Sequence, residues 1–587
     1  MKVSSVMVAF EVDSVAALRN VTKIKNKIAR TSGYYAAGDG GNGDYWLDAS
    51  DTSSADNGFT VIVAADGGRW KLQGDAFGWY NAKQAGAKID GSTDDTAAIQ
   101  NAVNLANINI PAGIFKITST IVITIANRHV RGAGRGVTQA YQYTKNQGGF
   151  WFKSPNAYTV SDYLNGGSIS DMTVAYVGGF APDPTVGTGI LLTQMNGHRI
   201  YNVSVSQFLE SVTYEGGQLN SLKSVNMSCN GGSYSGAGTA LLHTRQSPIG
   251  GGASYQKCYT VRCEDTFISA TLLRDACVRV HMADGLTLTN SYWGLGKNCI
   301  LLVSPDVASD YIGGVTTSAV YMDCVSPANT VNGIEVRGGA FAATLQCVMQ
   351  MGSGTFIANG SGTGIISNAP LADLVLTGVL ISNFITGSAI NVTGDGINTA
   401  VNISGCEFTN CGQTGVIGVS YFDALRNLAM TGTIFKDCRE SSVNISGTFK
   451  TASFAGNTNS SNIPDIVNTA SFPNTEAFKK GGNSSGYTGT ADVSWVSERR
   501  AVVNLDFPNI AVGAAATLTA TLNGIAVADT VVGNLSGATN LYNTGTGTLL
   551  FVYGISAANT VSVKAWNLGP GAADPVALDF NIRVQKK

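Results

Sequence analysis

Hydrophobic positions in this chain follow one helical stretch and many strand-like ones. In "STDDTAAIQNAVNLANINIPAGIFKIT", Ile99, Ala102, Val103 and Ala106 recur at three- and four-residue steps, the apolar stripe of a short helix from Asp94 to about Asn107. Ser92-x-x-Asp95 has the form of a capping box, so Asp94 and Asp95 are expected to open that helix. Neighbours in sequence point about 100° apart on a helix, which keeps these two carboxyl groups from facing one substrate. Pro111-Ala112-Gly113 then turns the chain, and Phe115 and Ile117 alternate with Ile114, Lys116 and Thr118 as in a strand.

Beyond this point the period is two. "GHRIYNVSVSQF", "SYQKCYTVRCED", "ACVRVHMADGLTLTNSYWG", "SAVYMDCVSP" and "NGIEVRGG" alternate apolar with polar residues and are broken by Gly and Asn turns. Cys258, Cys277, Cys299, Cys324 and Cys347 recur at steps of roughly 20 to 25 residues, the range of solenoid repeats. The expected fold is all-β. Each repeat forms one coil of a right-handed parallel β-helix, with the thiols stacked inside successive coils and the opening helix capping the first exposed sheet edge.

The flanks read differently. Residues 1–75 form a small N-terminal unit, 76–456 the β-helix, 457–490 a polar connecting segment with little packed structure, and 491–587 an antiparallel β-sandwich carried by "ATLTATL", "GTLLFVYGI" and "NTVSVKAWNL". Composition supports many short strands joined by tight turns. Charged residues make up 13% of the chain and glycines are 71 of its 587 residues, while 44% of residues are hydrophobic. A net charge of −2 without Lys/Arg clusters gives no footprint for nucleic acid or an anionic membrane. Glu11 and Asp13 interrupt the N-terminus before any apolar run, so no secretory signal is expected, nor any membrane insertion. The ten cysteines include no CxxC pair, which favours buried thiols over disulfides or metal.

Candidate chemistry is sparse. Gly38-x-Gly40-x-x-Gly43 matches a dinucleotide fingerprint by letters, but it runs into the strand-like "DYWLD" where that motif needs a helix. Only four histidines are present, and no Gly-x-Ser-x-Gly elbow. Period two sorts the repeats into inward and outward residues. Val261 and Cys263 point in, leaving Arg262 and Glu264 outside. Val278, Val280 and Met282 leave Arg279 and His281, and Val320, Met322 and Cys324 leave Tyr321 and Asp323. Ile334 and Val336 leave Glu335 and Arg337. Coils stack about 4.8 Å apart, close enough for outward residues on neighbouring coils to meet one sugar. Glycoside hydrolysis needs two carboxyl groups across the scissile bond, which selects Glu264, Asp323 and Glu335 as candidate catalytic acids. Arg279, His281, Trp293, Tyr321 and Arg337 are the candidate substrate-binding groups, and no metal ligands are expected. An outward charge on a β-helix also serves as a solvated face or a cross-coil ion pair, and an aromatic as loop filling. A site built from two subunits would pair residues that one chain's sequence cannot bring together.

"AKIDGSTDDTAAIQNAV" with "IPAGIFKIT" resembles the N-terminal signature of the pectate-lyase-like superfamily as it occurs in bacteriophage tailspikes, with Phe115 in place of the usual Tyr. "GYYAAGDGGNGDYWLD" and the stretch from "LDFPNIAVGAAATLTATL" to the C-terminus are similar to segments of tailspike depolymerases. The resemblance implies a homotrimeric virion component that needs no cofactor. It would attach to phage tail or baseplate proteins through its N-terminal region, and would recognise and degrade a bacterial capsule, exopolysaccharide or O-antigen. Such proteins are made in the host cytoplasm. The expected activity is endo-glycoside hydrolysis by paired carboxylates on the β-helix, with β-elimination by a lyase and glycan binding without cleavage as the alternatives.

Overall fold

The structure, a computed structural model, describes residues 9–23, 27–155, 163–177, 187–229, 240–245, 247–248, 255–256, 258–269, 275–281, 283–294, 296–303, 312–325, 331–337, 347–369, 372–393, 399–412, 420–423, 425–439, 441–459, 466–468, 478–481, 484–485, 498–522, 525, 527–535, 541–544 and 547–585. Residues 1–387 and 388–587 form two compact units.

The first unit opens with a five-stranded sheet in the order Phe10–Val12, Ile28–Thr31, Gly43–Leu47, Arg69–Leu72, Val61–Val63. Trp70, Tyr45, Phe59 and Ile62 are its buried centre. Gly43 begins a strand, so the three-glycine motif phosphate-binding reading fails on geometry.

The β-helix begins at a short helix, Thr96–Leu105, whose Ile99, Ala102 and Val103 are fully buried. Its start corrects the expected capping box. Asp90–Asp94 is a strand, and Asp95 at the N-cap makes no side-chain bond to the helix. Asp95 is buried instead and accepts the N–H groups of Lys88 at 2.7 Å and Ile89 at 2.9 Å, which holds Ile89 at a left-handed φ of 56°. Asp90 closes the Ser92–Thr93 turn, and Asp94 accepts from Thr96 N and from the Thr118 hydroxyl. All three aspartates are thus backbone latches. Gln100, on the helix, donates to Val122 O at 2.7 Å and accepts from Val122 N at 2.8 Å, satisfying the edge of the strand Ile121–Ile123.

Three parallel sheets then wind around one core. The first contains Phe150–Lys153, Thr188–Asn196, the start of Glu210–Lys223, Ala240–Arg245, Ala276–Val280, Asn298–Val303 and Asn332–Arg337. The second runs through Cys258–Glu264 and the first half of Ala283–Gly294. The third runs through Phe267–Ser269, the second half of Ala283–Gly294, the end of Ile312–Asp323 and Phe356–Ala358.

The cysteines keep the coil period but not one column. Cys258 pairs with Ala283 on the second sheet, while Cys277 and Cys299 lie side by side on the first. Cys324 follows the third-sheet strand, and its Sγ is 3.5 Å from that of Cys299. Cys347 is opposite Ile312 on the second sheet, with its side chain outside the described residues, as is Met282. Unequal loops between sheets move equally spaced thiols onto different faces. The nine described cysteines are all buried. Burial pushes the thiols of Cys258 and Cys263 up to about 12. Native protein is therefore expected to resist iodoacetamide at these nine sites until unfolded, as mass spectrometry will read; rapid labelling of several would contradict the packing.

In the second unit, further coils carry Ala400–Ser404, Asn427–Thr431 and Thr451–Ala455 in parallel register. The described residues of the segment 457–490, expected as a connection, continue them. Val443 pairs with Ile466, Ala452 with Phe478 and Thr458 with Ser484. A polar sequence does not prevent this, because parallel ladder bonds join backbone groups and need no apolar side chain. The chain ends in a sandwich of antiparallel sheets, Glu498–Leu505 with Leu578–Gln585 and Thr530–Leu535 facing a four-stranded sheet, around Phe507, Phe551 and Phe580.

Candidate functional site

Alternation on the first sheet sends Phe152, Leu192, Tyr214, Val280 and Leu302 into the core and leaves two rows outside. One row in register reads Trp151, Leu191, Thr213, His243, Arg279, Leu301, Glu335. The other begins Lys153, Thr193, Glu215, Arg245 and returns at Val303 and Arg337. Outward residues of an ordinary solvated sheet are exposed. Here Thr213 and Leu301 are fully buried and His243 is 6% exposed, while Trp151, Leu191, Arg279 and Glu335 are half-buried, so the face is covered in places and open in others.

Polar groups on it are tightly paired. His243 Nδ1 is 2.8 Å from Glu210 Oε1, and the Thr213 hydroxyl donates to Glu210 Oε2 at 2.6 Å. Arg245 lies 3.5 Å from Glu210 and donates to Glu215 at 2.8 Å. The Thr193 hydroxyl donates to Glu215 at 2.8 Å and accepts from the Trp151 indole at 2.8 Å. Burial pushes the Glu210 carboxyl up, but the hydrogen bond and charge of His243, the charge of Arg245 and the Thr213 bond outweigh it and hold Glu210 at about 2. Farther along the face, Arg337 forks onto both oxygens of Glu335 at 2.9 Å and reaches the buried Asp275 at 3.1 Å. Glu335 and Asp275 raise its pKa further.

Of the residues expected from sequence, the first sheet gathers Arg279, Glu335 and Arg337, and His281 continues the strand of Arg279 through its N–H to Thr244 O at 2.9 Å. The three acids do not come together. Glu264 is on the second sheet, exposed and paired with Lys223 at 3.0 Å. Asp323 ends a third-sheet strand, accepting from the Tyr292 hydroxyl at 3.1 Å and from Asn359 at 3.1 Å. Tyr321 sits in a ladder on that sheet, Phe267, Tyr292, Tyr321, Phe356, with centroids 5.2, 5.4 and 4.9 Å apart. Trp293 corrects the expectation outright. It is fully buried between Ile268 and Met322 in register and cannot stack on a sugar. The unexpected members are Trp151, Glu210, Glu215, His243 and Arg245, although "ALLHTR" carries the alternation that sends His243 and Arg245 outward.

Two family models match the chain in tandem. Residues 11–75 match the phage tail protein small four-stranded β-sheet domain. Residues 79–246 match the rhamnogalacturonase A/epimerase, pectate lyase-like family. The second match contains the whole Trp151–Arg245 cluster. No curated protein matches the chain. Among solved structures it is similar to the tailspike protein gp49 of Acinetobacter baumannii bacteriophage Fri1, a capsular polysaccharide depolymerase, at 14% identity and a TM-score of 0.43, over 98% of this chain and 97% of that one. The gp42 tailspike of an Acinetobacter phage gives 13% and 0.45, over 97% and 94%. The A-module of a mannuronan C-5 epimerase from Azotobacter vinelandii gives 14% and 0.41, over 70% and 100%.

Proposed function

We propose that this chain is a phage tailspike that recognises and degrades a bacterial surface polysaccharide. The observation that carries the reading is the order of its parts: a phage tail domain match followed directly by a pectate-lyase-like match, with a partly covered polar face on the coils of the second. A tail domain fits attachment to a virion, and the coils present rows of polar side chains at about the spacing of successive sugars in an extended glycan. The endo-hydrolase expected from sequence needs paired carboxyl groups. Glu264, Asp323 and Glu335 form no such pair within one chain, standing as they do on three sheets. Incubation with purified capsular polysaccharides from a panel of Gram-negative strains tests the reading: new reducing ends mark hydrolysis, and reducing ends with near-ultraviolet absorbance mark elimination. Binding without either product would make the chain an adhesin.

Assembly is part of the proposal. Val502, Val532 and Val576 are each 60% exposed or more on the C-terminal sandwich, an apolar surface that association would remove from water. We expect a homotrimer that survives dilution in analytical ultracentrifugation; a sedimenting species of 60.9 kDa would contradict it.

A further inference from the structure

A second set of charged side chains stands away from the first sheet, on the outer side of the second. Its first five coils place His129, Ser168, Arg199, Ser221 and Arg262 in one row in register. The adjoining row reads Arg131, Ser170, Tyr201, Lys223 and Glu264, while Val130, Ile169, Ile200, Leu222 and Cys263 between the rows are buried in the core. Arg131, Arg199, Tyr201, Lys223 and Arg262 are all exposed. These cations are far apart in sequence, so no Lys/Arg cluster announces them, and winding the chain into coils gathers them into a stripe.

Charge along the stripe is one-sided. The segments 128–135, 168–171, 199–202, 221–224 and 262–265 carry six Arg and Lys against three Asp and Glu, in a chain whose totals are 37 and 39. Glu264 is matched by Lys223 at 3.0 Å, and Asp171 and Asp265 at the sheet corner accept from the amides of Asn202 and Asn290. On the opposite side the row Asn196, Gln218, Tyr259 is uncharged until Asp284 on the sixth coil. Arg131 is held by Asn109 and lies 4.6 Å from the Trp79 ring. Arg199 and Arg262 make no ion pair among the described residues. Burial, then the charges of Arg128 and Arg199, lower the pKa of His129, as a positive field does.

We infer that this stripe is a second, non-catalytic glycan surface, which holds an acidic polysaccharide carrying one anionic group on every second sugar. The inference rests on the tailspike reading for the source of that glycan. The spacing of the charges selects the ligand. Two coils separate His129 and Arg131 from Arg199, and two more separate Arg199 from Arg262, about 10 Å per step. A sugar in an extended chain spans about one coil, so the guanidinium groups recur with every second sugar, with Ser168 and Ser221 on the coils between. Tyr201, 49% exposed beside Arg199, offers an apolar ring to the same chain. Nucleic acid matches poorly, since phosphates recur about every 3.4 Å along one strand of a duplex. Holding the polymer on one sheet raises its effective concentration at a cleavage site on another.

The test measures binding of the full chain to immobilised hyaluronate, which carries one carboxylate per disaccharide, with neutral dextran and single-stranded DNA beside it, at low and high salt. Wild type is expected to bind hyaluronate at low salt, to release it at high salt, where exposed charges are screened, and to ignore dextran. R199A/R262A is expected to bind about tenfold more weakly, R199E/R262E not at all, and R199K/R262K nearly as well as wild type, since charge at those positions is what the spacing requires. Thermal melts of all variants should coincide with wild type, because both side chains are exposed. No binding of hyaluronate by wild type, folded R199A/R262A within twofold of wild type, dextran bound as well as hyaluronate, or DNA bound more tightly than either would overturn this inference while leaving the depolymerase reading intact. No binding or cleavage of any capsular polysaccharide by wild type would overturn both.

Discussion

Trp293→Ala is expected to destabilise the β-helix by about 3–5 kcal/mol, the usual cost of deleting a large buried aromatic. The ring is fully buried, stacked in register between Ile268 and Met322, and its indole N–H points at the Thr266 hydroxyl 3.3 Å away. Neighbouring coils cannot collapse into the space without breaking the ladder, so a cavity remains. Denaturant unfolding checks this. A sugar-stacking tryptophan on the outer face would behave in the opposite way, leaving stability within about 0.5 kcal/mol and weakening glycan binding.

The second large effect is on acid stability. Glu210 is expected to contribute about 3 kcal/mol at neutral pH, because its carboxyl is lowered from 4.5 to about 2 despite burial, through His243, Arg245 and Thr213. A carboxylate with a depressed folded-state pKa stabilises fully above its unfolded value and loses that contribution as pH falls through the folded one. The window therefore runs from about 4.5 down to about 2. Over it, wild type should lose roughly 3 kcal/mol more than E210Q, which has nothing to protonate there. Parallel denaturation series at pH 5 and pH 2 measure the difference, and equal losses would show that Glu210 is not held by its partners.

Much of this architecture is legible along the chain because a β-helix repeats a simple rule. Period two correctly put Arg262 and Glu264 outside while Val261 and Cys263 are buried, and it did the same for Glu335 and Arg337 around Ile334 and Val336. It fails at corners. Asn290 takes a left-handed φ of 47° between the second and third sheets, which resets the alternation and turns Trp293 inward beside an outward Tyr292. Alternation also says which residues face out but not on which of three sheets. That depends on loop lengths, and these scatter Glu264, Asp323 and Glu335 over separate faces while bringing Glu210 and His243, 33 residues apart, into contact. The aspartates of "DGSTDDT" were legible as structural, yet their partners were not, since Asp95 bonds backward to Lys88 and Ile89 rather than into the helix it precedes.

The central claim is that the partly covered face of the first sheet, from Trp151 to Arg337, is where polysaccharide is cleaved. The most direct measurement is a crystal structure of the protein soaked with an oligosaccharide produced by its own digestion of a capsular polysaccharide. The predicted result is sugar density along this face, over the half-buried Trp151, Arg245, Arg279 and Glu335. Density confined to the Phe267–Phe356 aromatic ladder, or to the exposed second-sheet face around Glu264, would contradict it.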